Sequence, residues 1–197
     1  MKPILFNTEM VRAILDGRKT VTRRVVRPPA LYAIQEDEHG KCIGSYYEDE
    51  NSAYIYPTVD DCPYQPEQIL YVRETWCQPA ANTYWYKVDS PVQNILWRPS
   101  IHMPREAARI FLRVTDVRIE RLKDITLNDV AAEGTPEPTR EDWAITEYGT
   151  APPFCWFARL WDSTLKPTDR DLYGWDANPW VWVIEFERIK KEDIPCG

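Results

Sequence analysis

The sequence has little glycine and no long apolar run. Its 197 residues include 7 Gly against 17 Pro, a balance that favours fixed extended connections over flexible linkers. No apolar stretch approaches the roughly 20 residues that cross a bilayer, and no secretory apolar stretch follows Met1. These absences predict a cytoplasmic protein without membrane contact, built as one domain over residues 1–197.

Metal-binding and disulfide patterns are also missing. The five cysteines are odd in number and contain no CxxC pair, which argues against a disulfide framework: Cys42, Cys62, Cys77, Cys155 and Cys196. A zinc site built from the first three and one of the two histidines, His39 or His102, lacks the usual close ligand spacing. We therefore predict no metal and no cofactor.

Basic residues are outnumbered, and their placement is uneven. The formal net charge of −7 argues against a large phosphate-binding face. Yet five cations fall within ten positions near the N-terminus: Arg18, Lys19, Arg23, Arg24 and Arg27. The acidic excess lies between 36 and 61, in a Tyr- and Pro-rich segment without helical period. We predict one local basic strip and an acidic insertion at about 30–66 that carries a hairpin.

Hydrophobic periodicity predicts several strands with helices at their ends. A first helix starts at Asn7 or Thr8 and stops at Gly17, and another, capped by Thr126, ends at Gly134. Further helices are predicted at 140–148 and 154–163, and strands at 20–27, 69–76, 83–88, 109–122 and 180–188. A phase slip at Thr115 and Asp116 indicates a bulge or a bend. The absence of a βαβ rhythm favours an α+β domain with a mostly antiparallel sheet.

Four segments in order resemble the ASCH family. Gly17-Arg18-Lys19-Thr20-Val21-Thr22-Arg23-Arg24 resembles its signature at the exit of the first helix, and 69–76, 122–134 and 183–186 resemble its later strands and helix. The whole pattern is similar to ASCH proteins of bacteriophages and prophages. The resemblance implies a PUA-like, mostly antiparallel β-barrel with peripheral helices. Where relatives carry Gly-Asp before a strand, this chain has Glu67-Gln68.

The resemblance also implies a chemistry. Small bacterial members hydrolyse the acetyl amide of N(4)-acetylcytidine with a Lys, a Thr and a Glu, which fall on Lys19, Thr22 and Glu133. Amide hydrolysis needs a nucleophile, a base and an acid for the leaving amine. Thr22 would be the nucleophile, Lys19 its base and Glu133 the residue that orients the lysine or carries the proton. Because Lys19 and Thr22 point to opposite faces of a regular strand, joint action requires an irregular corner after Gly17.

Six further residues are candidates for contacting a nucleoside or RNA through charge, hydrogen bonding or base stacking: Arg23, Arg24, Arg73, Glu74, Trp76 and His102. Each candidate also has a purely structural interpretation. The arginines would form a cationic strand face, and Trp76 would be core. Lys19 would be a solvated surface residue, Thr22 a strand former and Glu133 a helix-end carboxylate.

Three functions follow from these patterns. The first is a nucleoside amidohydrolase built on Lys19, Thr22 and Glu133. The second is a noncatalytic module that binds single-stranded RNA or a modified base in the same cleft. The third is a phage accessory protein that binds a host protein through the Tyr-rich acidic insertion, since Tyr is a frequent interface anchor.

Overall fold

The computed structural model describes residues 1–27, 59–90, 94–136 and 152–194, together with the backbone of three strands between 32 and 55. Ten strands and four α-helices have the following bounds. The strands are β1 (Lys2–Leu5), β2 (Val21–Val25), β3 (Tyr32–Glu36), β4 (Cys42–Glu48), β5 (Tyr54–Ile55), β6 (Ile69–Arg73), β7 (Trp76–Ala80), β8 (Thr83–Tyr86), β9 (Phe111–Arg121) and β10 (Trp180–Ile189). The helices are α1 (Thr8–Leu15), α2 (Leu127–Ala132), α3 (Pro152–Ser163) and α4 (Arg170–Tyr173).

A mixed five-stranded sheet forms the centre, in the order β1-β6-β9-β10-β2. Only the β1–β6 pair is parallel, and the other three pairs are antiparallel. The chain is therefore α+β, as predicted. Backbone pairing among the described strands leaves this sheet open, with β1 and β2 at its edges.

The long strand β9 carries the predicted bulge. Asp116 pairs with Glu185 and Val114 with Phe186, so Thr115 has no partner on β10. An extra residue in one strand bends that strand and increases its twist. The change in side-chain parity that the sequence shows at 115–116 is thus a local irregularity inside one continuous strand.

Strand β10 is buried on both faces. Trp182, Ile184 and Phe186 belong to one apolar cluster, which β6, β9 and α1 also supply. Val181 and Val183, on the opposite face, pack in a second cluster with Phe157 and Trp161 of α3 and with the region of α2. The helices therefore cover the second face of the sheet, to which the continuous apolar run 180–184 also contributes side chains.

Both predicted helix stops are confirmed. Asn7 caps α1 by accepting a hydrogen bond from the Met10 backbone, and Gly17 follows the helix with φ +76°. Thr126 and Asp129 form a capping box at the start of α2. Gly134 ends α2 with φ +86°, and a Cβ there would lie 2.6 Å from the Ala13 Cβ. Only glycine allows α2 to approach α1 this closely.

The predicted strand 69–76 is divided. Strand β6 ends at Arg73, and Trp76 begins β7, which pairs with β8 in a separate two-stranded sheet. Strands β3, β4 and β5 form a third sheet, with the predicted hairpin in the antiparallel β3–β4 pair. Cys62, near the end of the predicted insertion, is buried in the main core. The predicted helix 140–148 lies outside the described residues. Among the residues that are described, no helix is long and apolar enough to cross a membrane.

Candidate functional site

The turn between α1 and β2, which we call the Lys19 corner, is irregular. The backbone N–H groups of Arg18 and Lys19 both donate to the Ala13 carbonyl, at 2.9 and 3.0 Å. Lys19 then forms an isolated antiparallel bridge with Glu133, and Thr20 donates to the Ala132 carbonyl at 2.8 Å. The corner is thereby held against the end of α2, and residues far apart in sequence meet there.

Lys19 is fully buried and saturated with acceptors. Its Nζ donates to Glu133 Oε2 at 2.6 Å, to the Glu133 carbonyl at 2.9 Å and to the Val21 carbonyl at 2.8 Å. The lysine side chain has 0% exposure, and the glutamate side chain 3%. Of the predicted catalytic residues, the structure thus brings Lys19 and Glu133 into direct contact.

A second cation shares the same carboxylate. Arg23 Nη1 lies 3.3 Å from Glu133 Oε1, and its Nη2 lies 3.5 Å from Glu120 Oε2 and 3.6 Å from Asp129 Oδ2. The Arg23 side chain is completely buried. The sequence suggested that this arginine meets a ligand or forms a cationic surface, whereas most of its donors face carboxylates inside the protein.

Thr22 follows Val21, whose carbonyl accepts a hydrogen bond from Lys19, and the Thr22 hydroxyl accepts a hydrogen bond from Arg24. Arg24 Nη1 donates to Thr22 Oγ1 at 2.7 Å, while its Nη2 donates to the Leu5 carbonyl at 3.1 Å. The Phe6 ring contacts both cations, with its centroid 5.6 Å from Lys19 Nζ and 5.2 Å from the Arg24 guanidinium carbon. Thr22 itself is 1% exposed.

Burial dominates the electrostatics of this corner. Desolvation lowers the pKa of Lys19 below its ordinary value, aided by the positive charges of Arg24 and Arg23 and opposed by Glu133. Desolvation also lowers the pKa of the Arg24 guanidinium. An amine whose ammonium form is disfavoured in this way is a better proton acceptor at neutral pH than an exposed lysine.

Two clefts adjoin the corner. The larger, which we call the arginine cleft, has a volume of about 660 Å³ and is lined by Phe6, Arg23, Arg24, Arg27, Tyr64 and Trp161, among others. The smaller, the Glu133 pocket, has a volume of about 370 Å³ and lies between α1 and α3, where Glu133, Met10, Trp156 and Leu160 line it. Met10 lines both clefts. Both clefts are of ligand size. Of the three predicted catalytic residues only Glu133 is among their lining residues, in the smaller pocket, while Phe6, whose ring centroid is 5.6 Å from Lys19 Nζ, lines the larger cleft.

The other predicted binding residues are placed elsewhere. Glu74 is buried and accepts two hydrogen bonds from Arg109, at 2.9 and 3.0 Å. Trp76 is 3% exposed and packs in the third apolar cluster. Arg73 donates to the Ile101 carbonyl at 3.1 Å, and His102 is exposed in a 3-10 turn. The structure does not bring these four residues to the Lys19 corner.

Sequence reasoning missed several residues of the site. No motif in the sequence points to Phe6, whose ring contacts Lys19 and Arg24. The same is true of Glu120 and Asp129, whose carboxylates face Arg23. Phe6 directly follows β1, which the sequence analysis did not predict. Glu120 lies two positions after Arg118 on β9, and charged residues at this spacing are typical of any strand with one face in solvent. Within the described ranges no group of three or more His, Cys, Asp or Glu residues is arranged to hold a metal ion.

Comparisons with known proteins are sparse. No protein-family model matches the chain, and a search of curated proteins finds no match. Among solved structures, a DUF984 protein from Enterococcus faecalis V583 aligns with 100% of this chain and 86% of its own length, at 12% identity and a TM-score of 0.46. A likeness at this level establishes neither a shared fold nor a shared function.

Proposed function

We propose that this protein is an ASCH-type amidohydrolase that removes the acetyl group from N(4)-acetylcytidine or a closely related acylated cytosine nucleoside. The observation that carries the proposal is the buried contact between Lys19 Nζ and Glu133 Oε2, with Glu133 lining a pocket of about 370 Å³. The motif resemblance assigns catalytic roles to these two residues. Their contact, 114 positions apart in the chain, is the arrangement that those roles need.

Each residue then has a defined part in the reaction. The Thr22 hydroxyl attacks the acetyl carbonyl, and Lys19 accepts the hydroxyl proton. The tetrahedral intermediate collapses by breaking the bond to the cytosine N4, which leaves as an amine after receiving a proton from the Lys19–Glu133 pair. Water then hydrolyses the acetyl-threonine ester, so the products are cytidine and acetate. The Arg24 guanidinium, 2.7 Å from Thr22 Oγ1, favours a negative charge on that oxygen.

The PUA-like barrel belongs to the same proposal. Arg24 on the edge strand β2 donates to the Leu5 carbonyl on the opposite edge strand β1. A side chain that joins the two edges supports a sheet that is strongly curled around the apolar core.

A second candidate function is noncatalytic binding of a cytosine-type base in the same cleft. Two observations favour it. Thr22 is 1% exposed, and all three N–H donors of a charged Lys19 have an acceptor within 2.9 Å. A nucleophile must reach its substrate, and a base must offer a lone pair. Catalysis therefore requires that substrate displace Arg24 from Thr22, whereas simple binding does not.

The deciding experiment is incubation of the wild type with N(4)-acetylcytidine, with cytidine and acetate measured over a range of pH. We expect hydrolysis, and we expect Lys19→Ala, Thr22→Ala and Glu133→Gln each to reduce it by about 10²-fold or more. Glu187→Gln is the control, because this exposed carboxylate pairs with Arg113 outside the corner. All variants must first be shown to be folded. A folded wild type that leaves the amide intact but is stabilised against melting by cytidine would favour the binding module.

A further inference from the structure

The arginine cleft differs in charge from the rest of the molecule. The protein carries 31 acidic and 24 basic residues. Three arginines line the cleft, Arg23, Arg24 and Arg27, and none of its described lining residues is acidic. The Glu133 pocket, by contrast, contains Arg12 and Arg18 together with Glu9 and Glu133. Arg23 and Arg27 also pair with carboxylates that lie outside the lining. A cleft of an acidic protein whose charged lining residues are all basic nevertheless favours an anionic ligand.

We propose that the arginine cleft binds a phosphorylated ligand, so that the molecule taken up is a cytidine nucleotide and not the uncharged nucleoside. The cytosine part of this inference rests on the proposed function, whereas the phosphate part rests on the cleft alone. Guanidinium groups form bidentate hydrogen bonds with phosphate, and arginine is the residue best suited to that geometry.

Arg23, which lines the cleft, has one buried donor without a partner in the described part of the chain. Its side chain is completely buried, and its Nη atoms face Glu133, Glu120 and Asp129. Its Nε has no hydrogen-bond partner among the described residues. A buried donor without an acceptor is costly in a folded protein, so such groups commonly mark the position of a ligand or water oxygen.

Arg27 is the arginine that is most easily recruited. Its side chain is 61% exposed, pairs with Asp169 at 2.9 Å and lies over the Tyr173 ring. Exposed ion pairs of this kind contribute little net stability, so a phosphate can replace Asp169 as the partner of Arg27 at small cost. Arg24 is held in place by hydrogen bonds to the Thr22 hydroxyl and the Leu5 carbonyl. It therefore adds a positive charge of fixed position to the cleft.

The neutral part of the cleft suits a nucleoside. Phe6, Tyr64 and Trp161 line it, and its volume of about 660 Å³ is in the range of small-molecule sites. Aromatic side chains commonly stack on bases. A ligand that combines a base with a phosphate would therefore use both the aromatic and the cationic residues of this cleft.

The test is calorimetric titration of the full chain with cytidine and with cytidine 5′-monophosphate, at two salt concentrations. We expect the nucleotide to bind at least about tenfold more tightly, the effect of roughly one charge-assisted contact. Higher salt should reduce this preference, and inorganic phosphate should compete with the nucleotide. Arg27→Ala should remove most of the preference, while the control Arg105→Ala, an exposed arginine outside the cleft, should retain it.

The inference would be overturned if cytidine bound as tightly as the nucleotide or more tightly, or if neither compound bound. It would also be overturned if Arg27→Ala and Arg105→Ala lost the nucleotide preference to the same extent. A 5′-phosphorylated tetracytidylate distinguishes the source of the phosphate, because tighter binding than the mononucleotide would identify a phosphodiester of RNA. Failure of the two proposals can be separated. A nucleotide preference without amide hydrolysis retains the phosphate site and rejects the reaction, and hydrolysis without a nucleotide preference does the reverse.

Discussion

Two buried carboxylates of this protein are held in contrasting ways. Glu133 is 3% exposed and contacts Lys19 and Arg23, both with completely buried side chains. Glu74 is 2% exposed and receives two hydrogen bonds from Arg109, whose side chain is 31% exposed. Arg109 also pairs with Asp89 and lies 3.8 Å from the Tyr86 ring centroid. One carboxylate is enclosed with its cations, and the other is joined to a cation that reaches solvent.

The two carboxylates differ in whether the cation beside them can lose a proton. Arginine keeps its charge at every physiological pH and holds a carboxylate in a fixed planar geometry, as Arg109 holds Glu74. Lysine loses its proton more readily when it is buried, and desolvation lowers the pKa of Lys19. The Glu74 pair therefore has the properties of a structural clamp between β6 and the segment before β9. The Glu133 pair has those of a group that can exchange a proton with a ligand.

The largest expected effect is on stability when each carboxylate is removed. Glu133→Ala leaves Lys19 and Arg23 buried without their shared anion, and we expect a loss of about 3–5 kcal/mol in the free energy of unfolding. Glu74→Ala leaves an arginine that still has Asp89 and contact with solvent, so we expect about 1–3 kcal/mol. Urea denaturation of both variants measures the two losses. A larger loss for Glu74→Ala would show that enclosure of the Lys19 corner is not the dominant factor.

A smaller effect, opposite in sign for the two pairs, concerns pH. Because the pKa of Lys19 is lowered from 10.5, the unfolded chain retains a proton that the folded protein has lost between the folded pKa and 10.5. Stability from this group therefore rises with pH in that window. The pKa of Glu74 is raised from 4.5, chiefly by desolvation, so its contribution falls as pH rises from 4.5 through the folded pKa.

The measurement is the difference in unfolding free energy between the wild type and each of Lys19→Met and Glu74→Gln, followed across pH. The first difference should increase in favour of the wild type towards alkaline pH. The second should decrease as pH rises through the acid range. A flat alkaline profile for Lys19→Met would mean that Glu133 fully compensates for the burial of the lysine.

The sequence was informative where local rules act. Asn7 and Thr126 as caps, Gly17 and Gly134 as helix ends, and the bulge at Thr115 all follow from residue chemistry within a few positions. The motif resemblance also selected Lys19 and Glu133, which are in contact. These predictions succeed because caps, left-handed glycines and side-chain parity are decided locally.

Long-range partners were not predictable in the same way. The sequence makes Glu74 and Trp76 candidates for contacting a ligand, but β6 ends at Arg73 and both residues are buried. The sequence places Arg23 in a basic strip, but nothing in it indicates that Glu120 and Asp129 face most of the donors of this side chain. Which carboxylate meets which cation depends on strand order and helix docking, and a single sequence does not display these.

The smallest expected effect concerns the start of β6, the strand that leads to Glu74. Glu67 replaces the glycine of the resembled motif and has φ +63°, in the left-handed region. Its backbone N–H donates to the Val114 carbonyl at 2.8 Å, so pairing with β9 holds it in this conformation, and its side chain is exposed.

Glu67→Gly should therefore stabilise the protein. The substitution relieves about 1–2 kcal/mol of left-handed strain in the folded protein. It also makes the unfolded chain more flexible, which lowers stability by about 0.4–1 kcal/mol and offsets part of this gain. We expect a net gain of about 0.5–1 kcal/mol, measured by urea denaturation. Asn82→Gly is the matched control, because Asn82 has φ +57° and asparagine tolerates this region well. It should change stability by less than Glu67→Gly. An equal gain in stability in both variants would show that Glu67→Gly does not act by relieving strain at position 67. A loss of stability in Glu67→Gly would show that contacts of the glutamate side chain outweigh the strain of its backbone.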